Sequence, residues 1–112
     1  MRRHVLTVDL RDDPAAIAAY RDYHQRVWPE VLESLRTAGV RTMDIHIRGR
    51  RLVMILELYD GLDVKQVFAA HVASHPRVQE WERLMRSLQE HPSDAPPGEW
   101  WAVMEPIFQL QN

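Results

Sequence analysis

Residues 41–59, RTMDIHIRGRRLVMILELY, break a largely helical pattern with a stretch of period two, and no other feature of the chain constrains its fold as much. Met43, Ile45 and Ile47 alternate with polar residues, Gly49 and Arg50 interrupt them, and a more continuously apolar run resumes up to Tyr59. Two strand-like runs around a glycine-bearing turn predict a β-hairpin. Upstream, Ile17, Tyr20, His24, Val27, Trp28, Val31 and Leu35 fall at the three- and four-residue spacings that share one helical face. Asp13 suits the cap of that helix, Pro14 its first turn and Gly39 its end. Pro29 cannot donate to the carbonyl four residues back, so the segment from Pro14 to Ala38 is expected to kink, or to split into two abutting helices, near Trp28.

Downstream, Asp63 to Ser74 reads as a second helix through Val64, Val67, Phe68 and Val72. Pro76 opens a third through Val78, Trp81, Leu84, Met85 and Leu88. HVLTVDL, residues 4–10, supplies a first strand, WAVMEPIFQL, residues 101–110, a last one, and HPSDAPPGEW, residues 91–100, a loop. The order is β-α-β-β-α-β with the second helix broken in two, which is the α+β, ferredoxin-like split βαβ arrangement. Four antiparallel strands then carry the helices on one face. On the strand from Arg51 to Leu58, Leu52, Met54, Leu56 and Leu58 point one way, and Val53 and Ile55 the other, followed by Glu57. A second, largely apolar face predicts a homodimer packed sheet against sheet.

A length of 112 residues fits one domain, residues 1–112. The 14 basic and 16 acidic side chains leave a net charge of −2, so no basic field draws in nucleic acid or an anionic membrane. The absence of cysteine excludes disulfides, thiolate zinc sites and cysteine nucleophiles, and fits a reducing, cytoplasmic setting. No apolar run approaches membrane-spanning length, so a soluble, unprocessed protein is expected.

His24 stands where the apolar stripe calls for a leucine. A lone histidine on such a face is more often a core residue bonded to a carbonyl. Its neighbours make a second case: Tyr20 lies one turn before and Trp28 one turn after, so a ring that exchanges protons near neutral pH sits between amphipathic rings suited to line a sugar site. His71 and His75 are one helical turn apart, but they have no glutamate of the HExxH kind between them and no third ligand, so no metal site is expected. His46 falls on the opposite face of the hairpin from Ile45 and Ile47, and RGRR, residues 48–51, reads as a solvated basic turn. Trp81 suits the core or a ligand-stacking wall equally. Trp100 and Trp101 are adjacent, so in a strand they would face opposite ways. Glu105, among apolar strand residues, fits an edge or a site.

Together these residues resemble the L-rhamnose mutarotase family, small dimeric α/β-barrel proteins that interconvert the anomers of a 6-deoxy-L-sugar. The likeness runs along essentially the whole chain and is sharpest in Y-x-x-x-H-x-x-x-W-P-E, matched by Tyr20, His24, Trp28, Pro29 and Glu30. It implies that His24 is the proton donor, expected to act as the acid at the ring oxygen, and that Tyr20 and Trp81 contact the sugar. Two family positions differ: the sugar-contacting tyrosine at the start of the hairpin falls on Met43, and the second of a tryptophan pair on Glu82. Both are expected to touch substrate, and exchanging a phenol and an indole for a thioether and a carboxylate opens the choice between L-rhamnose and L-fucose. Opening a hemiacetal needs one proton delivered to the ring oxygen and another removed from the anomeric hydroxyl, so neither a metal nor another cofactor is expected. The same barrel hosts haem-binding and quinone-forming monooxygenases, and a non-catalytic ligand-binding dimer is a third possibility. The sequence names no second group for the other proton transfer.

Overall fold

The computed structural model describes residues 3–111; Met1 and Arg2, which open the basic N-terminus, and Asn112 lie outside the described residues. The chain runs β1 (Arg3–Leu10), α1 (Pro14–Gln25), α2 (Pro29–Ala38), β2 (Val40–Arg48), β3 (Arg51–Leu58), α3 (Val64–Ala73), α4 (Pro76–Leu88), β4 (Gln89–Glu90) and β5 (Ala102–Met104). Each predicted helix start is capped. Asp13 accepts from the Ala15 N–H at 3.0 Å, Asp63 from those of Lys65 and Gln66, and the His75 ring from that of Arg77 at 3.0 Å. The break at Pro29 is complete: α1 stops at Gln25, and α2 begins anew on the Trp28 carbonyl, which accepts from Val31 and Leu32.

The sheet order is β2-β3-β1-β4, with β5 also on β1, and every pairing is antiparallel. This is the ferredoxin-like topology, with one correction to the expected last strand. That strand is divided in two: β4 pairs with Asp9 and Leu10 at one end of β1, and β5 pairs with Val5 to Thr7 at the other. Pro92, Pro96 and Pro97 bring no N–H to a ladder, so residues 91–101 leave the sheet between the two pieces, and Pro106 follows directly where pairing ends. Trp100 and Trp101 therefore precede β5 instead of alternating within it. Glu105, expected among strand residues, is exposed beyond it.

Leu6, Val8 and Leu10 of β1 lie beside Leu52, Met54, Leu56 and Leu58 of β3, all at most 4% exposed, and face the helices. They pack into two adjoining clusters, one with Tyr20, Val31, Val78, Trp81 and Met85, the other with Val40 and Val67. At about 1.5–3 kcal/mol for each such side chain buried, this face dominates the fold's cohesion. The other face is less apolar than the strand pattern predicted, because the register sets His46 beside Val53 and Asp44 beside Ile55. Its apolar part is confined to Ile55, Val5 and Met104 in one row across the sheet, and Val53 and Ala102 in the next. Among the described residues no helix is long and apolar enough to cross a membrane.

Candidate functional site

The interruption before Pro29 places His24 in the last turn of α1, with the Tyr20 ring one turn below it. The two rings stack at 4.2 Å between centroids and 27° between planes. α4 crosses alongside α1 and brings Trp81 against His24 in an edge-on contact with 5.4 Å between ring centroids; Trp28 meets the same indole in the same manner at 5.1 Å. Tyr20, His24 and Trp81 form one wall of a cleft of about 1070 Å³ between the helices, the β2–β3 hairpin and residues 98–101. Met43, Ile45 and Ile47 of β2 line it from the sheet, and Glu82 lies next to Trp81. All five sequence-predicted site residues, Tyr20, His24, Met43, Trp81 and Glu82, thus reach one cavity. Tyr20 and Trp81 are only 4% and 5% exposed, so each belongs to the core as much as to the wall.

The His24 ring is wired to its own helix. Its Nδ1 lies 2.8 Å from the Tyr20 carbonyl, which can only accept, so Nδ1 carries the proton. In the neutral ring Nε2 is then an acceptor, and among the described residues nothing bonds to it. Burial pulls the imidazole below its ordinary pKa, and the bond to the Tyr20 carbonyl only partly opposes that. The resting group therefore offers the cleft a lone pair and becomes a donor once it has taken a second proton. Burial lifts the Tyr20 phenol well above the usual range, Glu82 adds to that rise, and a hydrogen bond with the Gln89 side chain opposes it. The phenol remains protonated at neutral pH and serves as a donor.

Burial also raises the Glu82 carboxyl, against the opposing pull of Arg86. Glu82 and Arg86 are 3.8 Å apart, too far for a hydrogen bond, and the Arg86 guanidinium also lies 4.8 Å from the centre of the Trp100 ring. Two participants escaped the sequence reading, Gln89 and Arg86. Gln89 accepts from the Trp100 indole at 2.6 Å, which ties the proline-bearing loop to the end of α4. The Glu82–Arg86 spacing of one helical turn was a visible signal; the role of Gln89 was not, since it depends on where the loop returns.

The remaining candidates are accounted for locally. His71 Nδ1 lies 2.7 Å from the Ser34 hydroxyl, while the His75 ring caps α4, so neither imidazole faces the other as a ligand pair. Among the described residues no three His, Asp or Glu side chains gather as a metal would require. His46 is exposed. In the basic turn, Arg50 binds the Leu10 carbonyl and Glu90, and Arg51 pairs with Asp9. The WPE run is locked from α4: the Arg77 guanidinium lies 3.7 Å above the Trp28 ring and 3.9 Å from the Glu30 carboxylate.

A ferredoxin-like α+β fold with a histidine set in an aromatic cleft between sheet and helices defines the class of protein. Within it, the chain belongs to the L-rhamnose mutarotase family, whose model matches residues 3–110. It is 40% identical to the L-fucose mutarotase of Xanthomonas campestris pv. campestris, over 100% of this chain and 90% of that one. It is 35% identical to a UPF0734 protein of Dictyostelium discoideum, over 97% and 90% of the two chains. A third relative, the L-rhamnose mutarotase of Jannaschia sp., is 28% identical over 87% and 88%. Among solved structures, the L-rhamnose mutarotase of Formosa agariphila superposes with a TM-score of 0.69 at 19% identity, covering 99% of this chain and 100% of that one. The tetracenomycin F2 cyclase of Streptomyces glaucescens follows at 0.61 and 16%, covering 100% and 99%; at such identities both likenesses speak for the fold.

Proposed function

We propose that this protein is a sugar mutarotase, an isomerase that exchanges the α and β anomers of a 6-deoxy-L-hexose, L-rhamnose or L-fucose, through acid/base-assisted ring opening. The observation that carries the proposal is His24, held by the Tyr20 carbonyl with its second nitrogen unbonded, on the wall of a cleft lined by Tyr20 and Trp81. Tyr20 orients the sugar through its phenol, and Trp81 supplies apolar surface to the sugar's C–H face. Met43 and Glu82 bound the same pocket and bear on which hydroxyl pattern fits. Two curated relatives carry the names L-fucose mutarotase and L-rhamnose mutarotase, which supports testing both sugars. Saturation-transfer NMR between anomeric protons is the test: the protein should speed exchange of at least one of the two well above its rate in buffer. Unchanged rates for both would end the proposal.

The functional unit is a homodimer joined through the sheet faces. Support comes from the apolar rows on the outer face and from Ile107, Phe108 and Leu110, which are 97%, 78% and 76% exposed in a single copy. A cysteine-free chain of this kind fits the cytoplasm.

A further inference from the structure

Three carboxylates line the cleft: Asp63, Glu82 and Glu99. Asp63 is committed to the backbone N–H groups that start α3, and Glu99 accepts from the Val103 N–H at 3.2 Å. Glu82 alone of the three is bonded to no backbone donor; its neighbour is Arg86 at 3.8 Å, a guanidinium that also leans over the Trp100 ring. It lies next to Trp81, whose ring packs against His24 with 5.4 Å between centroids. His24, meanwhile, offers an acceptor in its neutral form. A ring-opening site built this way has a base in place and needs an acid. The Tyr20 phenol is a poor one, held protonated in the core, and no cysteine exists to serve.

We infer that Glu82 is the second catalytic residue, the acid that protonates the ring oxygen while His24 Nε2 takes the proton of the anomeric hydroxyl; His24 is then the proton donor of the closing step and not, as the resemblance implies, of the opening one. The inference rests on the mutarotase function proposed above and completes it. In the opening step the anomeric O–H bond breaks, its proton goes to His24 and its electron pair forms the C1 carbonyl. The C1–O5 bond breaks, its pair stays on O5, and O5 takes the proton of Glu82. An imidazolium and a carboxylate remain. Closure on the other face of the aldehyde returns one proton to the new anomeric oxygen and the other to Glu82, so the site is regenerated. Burial favours this pairing, since it pushes the two groups toward their neutral forms from opposite sides. The other ionisable groups lining the α1, α4 and loop walls are Tyr20, Arg21, Arg86 and Glu99; α3 adds Lys65 and His71.

The experiment compares wild type, Glu82→Gln and Glu82→Asp in anomer exchange by saturation-transfer NMR, with binding of the same sugar followed by calorimetry. Glutamine keeps the size and polarity of the side chain but loses the proton, so exchange should fall by about 10²-fold or more while affinity changes only a few-fold. Aspartate, which retains a carboxyl, should restore part of the rate. Wild-type exchange should fall on both sides of an optimum. In Glu82→Gln the alkaline fall should vanish, and residual exchange should rise with pH as His24 loses its second proton and then level off. Residual exchange that falls with pH would assign the acid to His24 and overturn the inference. So would wild-type rates in Glu82→Gln, or a loss of affinity that accounts for the lost exchange. If the wild-type protein itself does not speed exchange, the mutarotase function falls first; if it does and the glutamine variant matches it, Glu82 alone is dismissed.

Discussion

A single carbonyl decides what His24 presents to the cleft. Because the Tyr20 carbonyl holds Nδ1–H, the ring can neither flip nor switch tautomer without giving up a 2.8 Å bond, and Nε2 is aimed by the helix itself. His24→Asn should therefore lower anomer exchange by about 10²- to 10⁴-fold, the usual worth of one positioned acid or base. Its far-UV circular dichroism and its quaternary state should match wild type. Full activity in that variant would remove His24 from the chemistry. The residue was legible in the sequence because a polar group interrupts an apolar period, a signal that spacing carries by itself. Glu82 was visible only as a departure from a family pattern. What makes it unusual is desolvation where α1, α4 and the loop at Trp100 converge, and no local spacing encodes that convergence.

Between elements, the α2–α3 contact turns on a polar circuit in an otherwise apolar layer. His71 Nδ1 lies 2.7 Å from the Ser34 hydroxyl and Ser34 Oγ 2.6 Å from Ser74 Oγ, while both hydroxyls reach the His71 carbonyl, Ser74 at 2.7 Å and Ser34 at 3.2 Å. Ser34→Ala leaves the buried His71 nitrogen without its hydrogen-bond partner and should cost about 1–3 kcal/mol in urea denaturation. Burial holds His71 and His24 below their ordinary pKa, so the unfolded chain binds protons more readily than the native one. Their contribution is intact above about pH 6.5 and is lost as pH falls from there toward the lower folded values. Urea midpoints should accordingly drop below that pH, and less steeply in His71→Gln. Glu82, raised by burial, has the opposite sign and costs stability as pH rises above its unfolded value. Gly39 ends α2 with φ of 113°, where an added Cβ would collide with Leu62 Cδ1, so Gly39→Ala should destabilise by about 1–3 kcal/mol. Helix limits were readable because proline, aspartate and glycine act within one turn. The divided last strand was not, because apolar composition around Trp100 to Leu110 signals burial in general, and the choice between ladder and loop was made by distant prolines and by β1.

For the whole molecule, the unresolved demand is apolar surface. Ile55, Val5 and Met104 form a row across the outer sheet face beside Val53 and Ala102, with Asp44 and His46 at its edge, while the segment after β5 holds Ile107, Phe108 and Leu110 out in solvent. One copy has nothing to lay against either. Two copies facing each other would bury both rows against one another and would offer the segment leaving β5, at the edge of that sheet, a surface to pack on. Sedimentation equilibrium at micromolar concentration should therefore report two copies, with a Tm that rises with protein concentration. Ile55→Lys places a charge in the apolar row and should shift the equilibrium toward a monomer. Removing residues 106–112 should weaken association without unfolding the core, since none of the described residues 106–111 belongs to either buried cluster. A wild-type monomer at these concentrations would refute the dimer yet leave the cleft intact, because Tyr20, His24, Trp81 and Glu82 are all positioned by helices α1 and α4 of one chain. Assembly and catalysis are in this way separately testable. An Ile55→Lys monomer that still exchanges anomers would show that one copy carries the chemistry, whereas a monomer that has lost exchange but kept its fold would show that the partner completes the pocket.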